Sequence, residues 1–394
     1  MLSLRNKLAL AFAAVVLPPL IALGWYGGNR IETTLRAQSR ERLETRIEAL
    51  SVQIERYLAG TDGDLLLLAG MPAFAQYLLA LDSGDLQLTD AARSNLALGF
   101  ARVSEIRATY SQIRYIDASG AEMIRVERNG DVTTIVAAGK VDARRSGTDF
   151  EETMKLAKDG VRVSPVGLDR ENGVIEDPRR PVIHYSTPVF DASAQRRGVL
   201  VIGVAVVPIL EMVAKASVDG EKLLMVDAAG SYLRHPEASK DWGGDSDLKT
   251  GESLVRDYPE LGARILAVKS RFTSEGDEDF TLARAIAVPG AKSAGFGIVV
   301  DLVPTRILDA AASQWRIVLN VLTLVAAVFA IAAGALVAHF VTRPILALIQ
   351  VVDRTSRGDL DQPIVVVAGD ETQILASAVE RLRKSLKLMI DKYS

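Results

Sequence analysis

An α+β fold carried on two membrane-spanning helices is what this sequence predicts, and three observations predict it. Two uncharged runs, residues 8–28 and 317–340, are each long enough to cross a bilayer. The stretch between them opens on a helical apolar period and then changes to short alternating and β-branched runs. After the second run come two amphipathic helical patterns joined by a connector.

The first span, LALAFAAVVLPPLIALGWYGG, covers roughly 31 Å as a helix, and Pro18 and Pro19 are tolerable kinks in a membrane helix. A cleaved signal peptide is the alternative, with Ala22-Leu23-Gly24 as a small-x-small site. The run is long for a signal core, however, and a helical pattern leaves it without a break. The second span is bounded by Trp315 and Arg316 on one side and Arg343 on the other, which suits interfacial anchoring. Arg5 and Lys7 precede the first span with no acidic residue, so residues 1–7 stay cytoplasmic. Two spans then return the C-terminus to the cytoplasm and leave 29–315 outside. The chain carries a net charge of −3, concentrated outside, and gives no support to nucleic-acid binding.

With no cysteine, the outer portion cannot be stapled by disulfides, and cysteine-ligated zinc is excluded. The three histidines, His184, His235 and His339, lack metal-ligand spacing; a carboxylate site stays open with nothing to argue for it, and no metal or cofactor is expected.

Residues 29–59 read as one charged helix with Leu43, Ile47, Leu50, Ile54 and Tyr57 on a stripe, which packs on a domain or on its twin. A dimer seam along that stripe is the expectation. Residues 112–130 read as two strands joined by a turn at 118–121, and 181–207 repeat the pattern with Gly203 inside a β-branched run. Between them, 161–181 are dense in Pro, Gly and charge, a long loop of the kind that binds. A shorter unit follows: strand, Gly turn and strand over 222–245, a helix near 259–267, and strands at 279–287 and 297–302.

The stretches YSQIRYIDASGAEMIRV, VSPVGLDRENGVIEDPRRPVIHYSTPVFD and LLMVDAAGSYLRHPEASKDWG resemble the double Cache sensor domains of bacterial sensor kinases, cyclases and chemoreceptors. The tail TRPILALIQVVDRTSRGDLDQPIVVVAGDETQILASAVERL resembles a HAMP domain. The resemblance covers nearly the whole chain. It implies two PAS-like Cache units on a long N-terminal helix outside the membrane: a long helix 29–59, a membrane-distal unit 60–215, a membrane-proximal unit 216–305 and a linker 306–315. The spans at 8–28 and 317–340 flank them, and 341–394 form the cytoplasmic HAMP domain.

In that tail, Pro344 fits a helix start and Gly358 a helix end. Leu375, Val379, Leu382 and Leu386 follow Glu371 at helical spacing. Two such short helices cannot bury their stripes alone, whereas two copies make a parallel four-helix bundle, hence a homodimer. Resemblance to HAMP domains assigns Pro344, Gly358 and Glu371 to that architecture. Gln373 departs from the Gly that many members carry after the Asp-Glu pair.

The resemblance places a ligand between sheet and loops of the distal unit. Arginine beside aromatic residues suits capture of a carboxylate, and the candidates are Tyr110, Arg114, Tyr115, Arg125, His184 and Tyr185. Strand parity sets Arg114 with Gln112 on one face and Tyr115 on the other, so not all can line one pocket. For each Arg a structural ion pair with Glu122, Glu127 or Glu176 competes with ligand contact. Asp117, Gly120, Asp227 and Gly230 fit turns.

Catalysis finds little support. Trp242-Gly243-Gly244-Asp245-Ser246 superficially resembles the Gly-Gly-Asp-Glu-Phe motif of diguanylate cyclases but lies on the outer side. No phosphate-binding Gly loop, Gly-x-Ser-x-Gly elbow or kinase histidine box is present. The expected function is an inner-membrane receptor that relays a periplasmic small molecule to a cytoplasmic kinase, phosphatase or cyclase in trans. The alternatives are the input half of a truncated sensor kinase, cyclase or chemoreceptor, and a membrane-anchored structural or scavenging protein.

Overall fold

The computed structural model describes residues 4–137, 148–171, 173–268, 270–276, 278–288, 295–357, 361–363 and 371–393. The chain forms two compact units, one of residues 39–308 and one of 1–38 with 309–394.

The first unit takes the C-terminal part of α1 (Leu4–Leu58), then α2 (Thr61–Ala69), α3 (Pro72–Ser83) and α4 (Leu86–Ile106). Asp85 caps α4 by accepting from the backbone of Gln87 and Leu88, a contact worth about 1 kcal/mol. The larger sheet holds β1 (Tyr110–Asp117), β2 (Glu122–Asn129), β3 (Val132–Ile135), β4 (Arg162–Val163), β5 (Gly167–Leu168), β8 (Pro181–Phe190) and β9 (Arg196–Ala205). Its order is β3-β2-β1-β9-β8-β4, with β5 also on β8 and every pair antiparallel. The two-residue strands β6 (Arg170–Glu171) and β7 (Val174–Ile175) form a separate small hairpin.

Helices cover both faces of this sheet, so β9 reads as a continuous β-branched run without alternation. On one face Phe74 and Tyr77 of α3 meet Tyr115 edge-on at 4.8 and 6.0 Å, beside Phe100 of α4. On the other, Phe150 and Met154 of α5 (Thr148–Met154) pack on Ile116, Val199 and Val201.

The smaller sheet follows α6 (Val207–Ala216) and comprises β10 (Lys222–Val226), β11 (Tyr232–Arg234), β12 (Arg271–Glu275), β13 (Asp279–Ala287) and β14 (Gly295–Pro304), ordered β11-β10-β14-β13-β12. Helices α7 (Leu254–Asp257) and α8 (Pro259–Leu266) supply Leu254 and Ile265 to its core. Both sheets open on the same turn chemistry. Asp117 Oδ1 accepts from the backbone of Ser119 and Ala121, and Asp227 Oδ1 from that of Ala229 and Ser231. Gly120 and Gly230 take the positive φ that each turn needs, 85° and 89°.

The stripe of α1 corrects an expectation. Leu43 and Ile47 are buried against Phe280, Leu282, Val303 and Leu308, while Leu50 and Ile54 join the larger core. The chain's own sheets use these side chains, so the stripe is not available as a dimer seam. Beside it Arg46 reaches Glu221 Oε2 at 2.5 Å and Asp301 Oδ2 at 2.6 Å, with Asp301 wholly buried. Burial pushes the Asp301 carboxyl up to about 6 despite Arg46.

In the second unit both spans lie inside longer helices, the first in α1 and the second in α9 (Thr305–Ser356). Their apolar side chains point outward, Val15, Leu23 and Phe329 each more than 70% exposed, as lipid contact requires. Small residues bring the helices together. A Cβ on Gly24 would stand 2.6 Å from Thr323 Oγ1, and one on Gly334 2.7 Å from Phe12 Cδ1.

Pro344 also corrects an expectation, since it lies inside α9 and not at a helix start. The helix runs through it because the amide hydrogen bond that proline removes is a local loss in an otherwise strong helix. Gly358 lies outside the described residues. Helix α10 (Glu371–Tyr393) begins at Glu371 and packs Ala376 and Val379 on Leu348 and Val351 of α9. Leu375, Leu382 and Leu386 remain 55, 61 and 39% exposed.

Replacing Arg46 by Met leaves two buried carboxylates without their cation, a loss of about 3 kcal/mol. Asp301 titrates upward in the folded chain, so its burial opposes folding progressively as pH rises from about 4 through 6. Thermal unfolding of Arg46→Met should therefore show a larger deficit at pH 7.5 than at pH 4.5; an equal deficit at both would place the effect in packing.

Candidate ligand-binding cavity

The side chains that face away from α2–α4 on the larger sheet surround a cavity of about 310 Å³. Antiparallel register builds its floor. Arg114 pairs with Val201, Gly203 lies opposite both Gln112 and His184, and Ser186 pairs with Arg162. Alternation then turns Gln112, Arg114, His184, Ser186, Val199 and Val201 to one side. The walls come from Asp149 and Phe150 of α5, Arg162 and Ser164 at β4, and Leu168, Asp169 and Arg170 from β5–β6.

Gly203 makes the floor possible. A Cβ there would stand 2.6 Å from Gln112 Cγ, so any larger residue would displace the Gln112 side chain. Gln112 donates to Asp169 Oδ2 at 2.8 Å, which orients its amide, and the same nitrogen lies 3.1 Å from His184 Nε2. Arg114 Nη2 approaches that ring nitrogen at 3.3 Å. Two donors converge on Nε2, so this nitrogen accepts and the ring proton sits on Nδ1. Burial, reinforced by the Arg114 charge, lowers the His184 pKa to about 4.

Arg114 is the unusual member. Among the described residues no carboxylate pairs with it, and its Nε is buried without a partner. Arg162 is different, because Asp149 Oδ1 accepts from both its Nε and Nη2 at 3.2 and 2.9 Å. Arg170 donates to the carbonyls of Gly173 and Ser246. The lining thus sets three guanidiniums and a neutral imidazole against two carboxylates, a surplus of positive charge that favours an anion.

Of the six residues singled out in the sequence, Arg114 and His184 meet here. Arg125 is the Cα partner of Arg114 on β2, but its Nε and Nη2 reach Glu122 at 2.5 and 2.9 Å and its Nη1 reaches Glu127 at 3.2 Å. The Glu122 bond in particular holds its pKa above the usual guanidinium value. Tyr115 and Tyr185 turn to the opposite, helix-covered face, where Tyr115 donates to the Arg197 carbonyl at 2.7 Å. Tyr110 lies in that same core and donates to Asp64 Oδ2 at 2.6 Å. A bulge between Tyr110 and Gln112 breaks the parity that would have set Tyr110 beside Arg114. Gln112, Asp149, Arg162, Ser164, Asp169 and Arg170 were not singled out as binding residues, although the last four lie in or beside the 161–181 segment marked as the binding loop.

Comparison with known proteins places the chain. The family model for the bacterial histidine kinase sensor domain matches residues 86–282, and the HAMP model matches 336–388. Among solved structures, the extracellular domain of the putative histidine kinase vpHK1S-Z8 is similar at a TM-score of 0.57 and 15% identity, over 71% of this chain and 96% of that one. A domain of a putative sensory box/GGDEF family protein from Vibrio parahaemolyticus is similar at 0.56 and 15% identity, over 68% and 97%. These likenesses show the fold. No curated protein matches the chain.

A histidine kept neutral in the folded chain binds its proton more readily when unfolded. Its contribution to stability is therefore present above about pH 6.5 and is lost as pH falls towards 4. The loss is at most about 1.4 kcal/mol per pH unit. Substituting His184→Gln should remove that part of the slope, so the stability difference between the two proteins should change between pH 6.5 and 4 and stay flat above pH 7. A difference that is flat throughout would mean that His184 is solvated.

Proposed function

This chain belongs to the family of bacterial histidine kinase sensor domains, here followed by a HAMP domain, and from that premise we propose that its cavity captures a small carboxylate-bearing molecule. The protein is a two-pass inner-membrane signalling receptor with a periplasmic sensor region. Its sensor and HAMP regions are non-catalytic input modules.

The observation that carries the proposal is Arg114, a guanidinium in a concave site that no carboxylate pairs with among the described residues. A bidentate carboxylate satisfies such a fork better than water, and His184 adds a polar group for orientation. Arg125, satisfied by Glu122 and Glu127 of its own strand, leaves the ligand to Arg114.

The receptor acts as a homodimer in this reading. Exposed Leu375, Leu382 and Leu386 on α10 support it, because a helix with that stripe in water needs a second surface. Ligand binding biases two packings of the dimer, and the HAMP pair passes the change to a cytoplasmic effector. The ligand shifts that equilibrium only by its difference in affinity for the two states.

The test is a thermal-shift screen of the purified full-length chain with acetate, pyruvate, succinate, citrate and benzoate. A binder at a hundred times its dissociation constant adds about 2.7 kcal/mol to the stability of the sensor region. Arg114→Ala should weaken that binder about a hundredfold or more. Arg125→Ala should lower the melting temperature and leave the affinity within about threefold. Binding that survives Arg114→Ala would move the site elsewhere.

A further inference from the structure

One cavity wall is held partly by its own sheet and partly from the smaller sheet's loop. Strand β5 is two residues long, and its Leu168 stands opposite Pro181, which has no amide hydrogen. In the antiparallel ladder the neighbouring pair carries the bond, Asp169 donating to the Arg180 carbonyl at 2.8 Å, so the Leu168 amide points away from β8. The acceptor comes instead from the smaller sheet's loop, as Asp247 Oδ1 at 2.9 Å. Two residues on, Arg170 donates to the neighbouring Ser246 carbonyl at 2.6 Å. Leu168 and Arg170 both line the cavity.

The loop that supplies these acceptors is built to keep them still. Its Trp242 is buried in the core shared by the two sheets, with a backbone φ of 64° and its amide bonded to the Tyr232 carbonyl at 2.7 Å. The amides of Asp247 and Lys249 both close on the Gly244 carbonyl. Side chains at 243 and 244 would collide, the first 2.6 Å from the Glu252 carbonyl and the second 2.9 Å from Ser231 Oγ. The Trp-Gly-Gly-Asp-Ser segment, idle as chemistry, thus forms a rigid bracket.

We propose that Asp247 is a positioning residue for the cavity: through it the smaller-sheet domain fastens the Leu168–Arg170 wall, so that the wall's placement depends on the neighbouring domain. The proposal rests on reading the cavity as the ligand site. It adds that a ligand drawing Arg170 inward works against the bonds to Ser246 and Asp247, which makes the domain junction the first element to sense occupancy. Asp247 feels Leu168 and Arg170 from the wall and the Asp227 carboxylate from its own domain, and its burial raises its pKa.

Hydrogen exchange read by mass spectrometry on the full-length chain in lipid nanodiscs tests this without any ligand. Asp247→Ala should speed exchange of the Leu168–Arg170 amides about tenfold or more, with β13–β14 unchanged. Asp247→Asn keeps an oxygen for the Leu168 amide and should restore slow exchange. Unchanged exchange in Asp247→Ala overturns the proposal, as does equal loosening in both variants together with β13–β14. The acids of the thermal-shift screen form a second arm. A wall that loosens as expected while none of them binds leaves the fastening standing and removes the carboxylate reading. An acid that protects 167–170 equally in the native chain and in Asp247→Ala overturns the fastening alone.

Discussion

A half-buried guanidinium that no carboxylate pairs with among the described residues leaves its charge to whatever enters the cavity, and the larger sheet is organised around that constraint at Arg114. The fold meets it in three ways. Strand β1 lies inside the sheet, hydrogen-bonded on both sides to β2 and β9, so the backbone under Arg114 cannot retreat. Gly203 leaves room for Gln112 to reach across to His184. Desolvation then keeps His184 neutral, so that its Nε2 accepts from the two donors facing it and adds no second charge. Loss of any of these would change how Arg114 is held, and with it the cavity's preference for an anion.

Much of this architecture could be read in the sequence, for identifiable reasons. The two hairpins were legible because Asp-Ala-Ser-Gly and Asp-Ala-Ala-Gly encode the same side-chain-to-backbone turn, independent of anything distant. The spans were legible because length without charge has few other solutions. The meeting of Arg114 with His184 was not, since seventy residues separate them and only strand register brings them together. Tyr110 shows the same limit from the other side, as one bulge reversed the face that simple alternation assigned it.

Two further features depended on tertiary context. The α1 stripe could serve a partner or its own domain with equal periodicity, and the chain's own sheets occupy it with Leu43 and Ile47. The α10 pattern, read as one stripe, divides into two. Ala376 and Val379 face α9, while Leu375, Leu382 and Leu386 face outward. Helical spacing reveals that a face is apolar without revealing which neighbour covers it.

The most direct measurement is to purify the full-length receptor gently from its native membranes, release small molecules by denaturation and identify them by mass spectrometry beside an Arg114→Ala control. The account predicts a small carboxylate-bearing compound that accompanies the native chain and is absent from the control. The same compound in equal amount on both proteins would contradict the assignment of Arg114 as the group that holds the ligand.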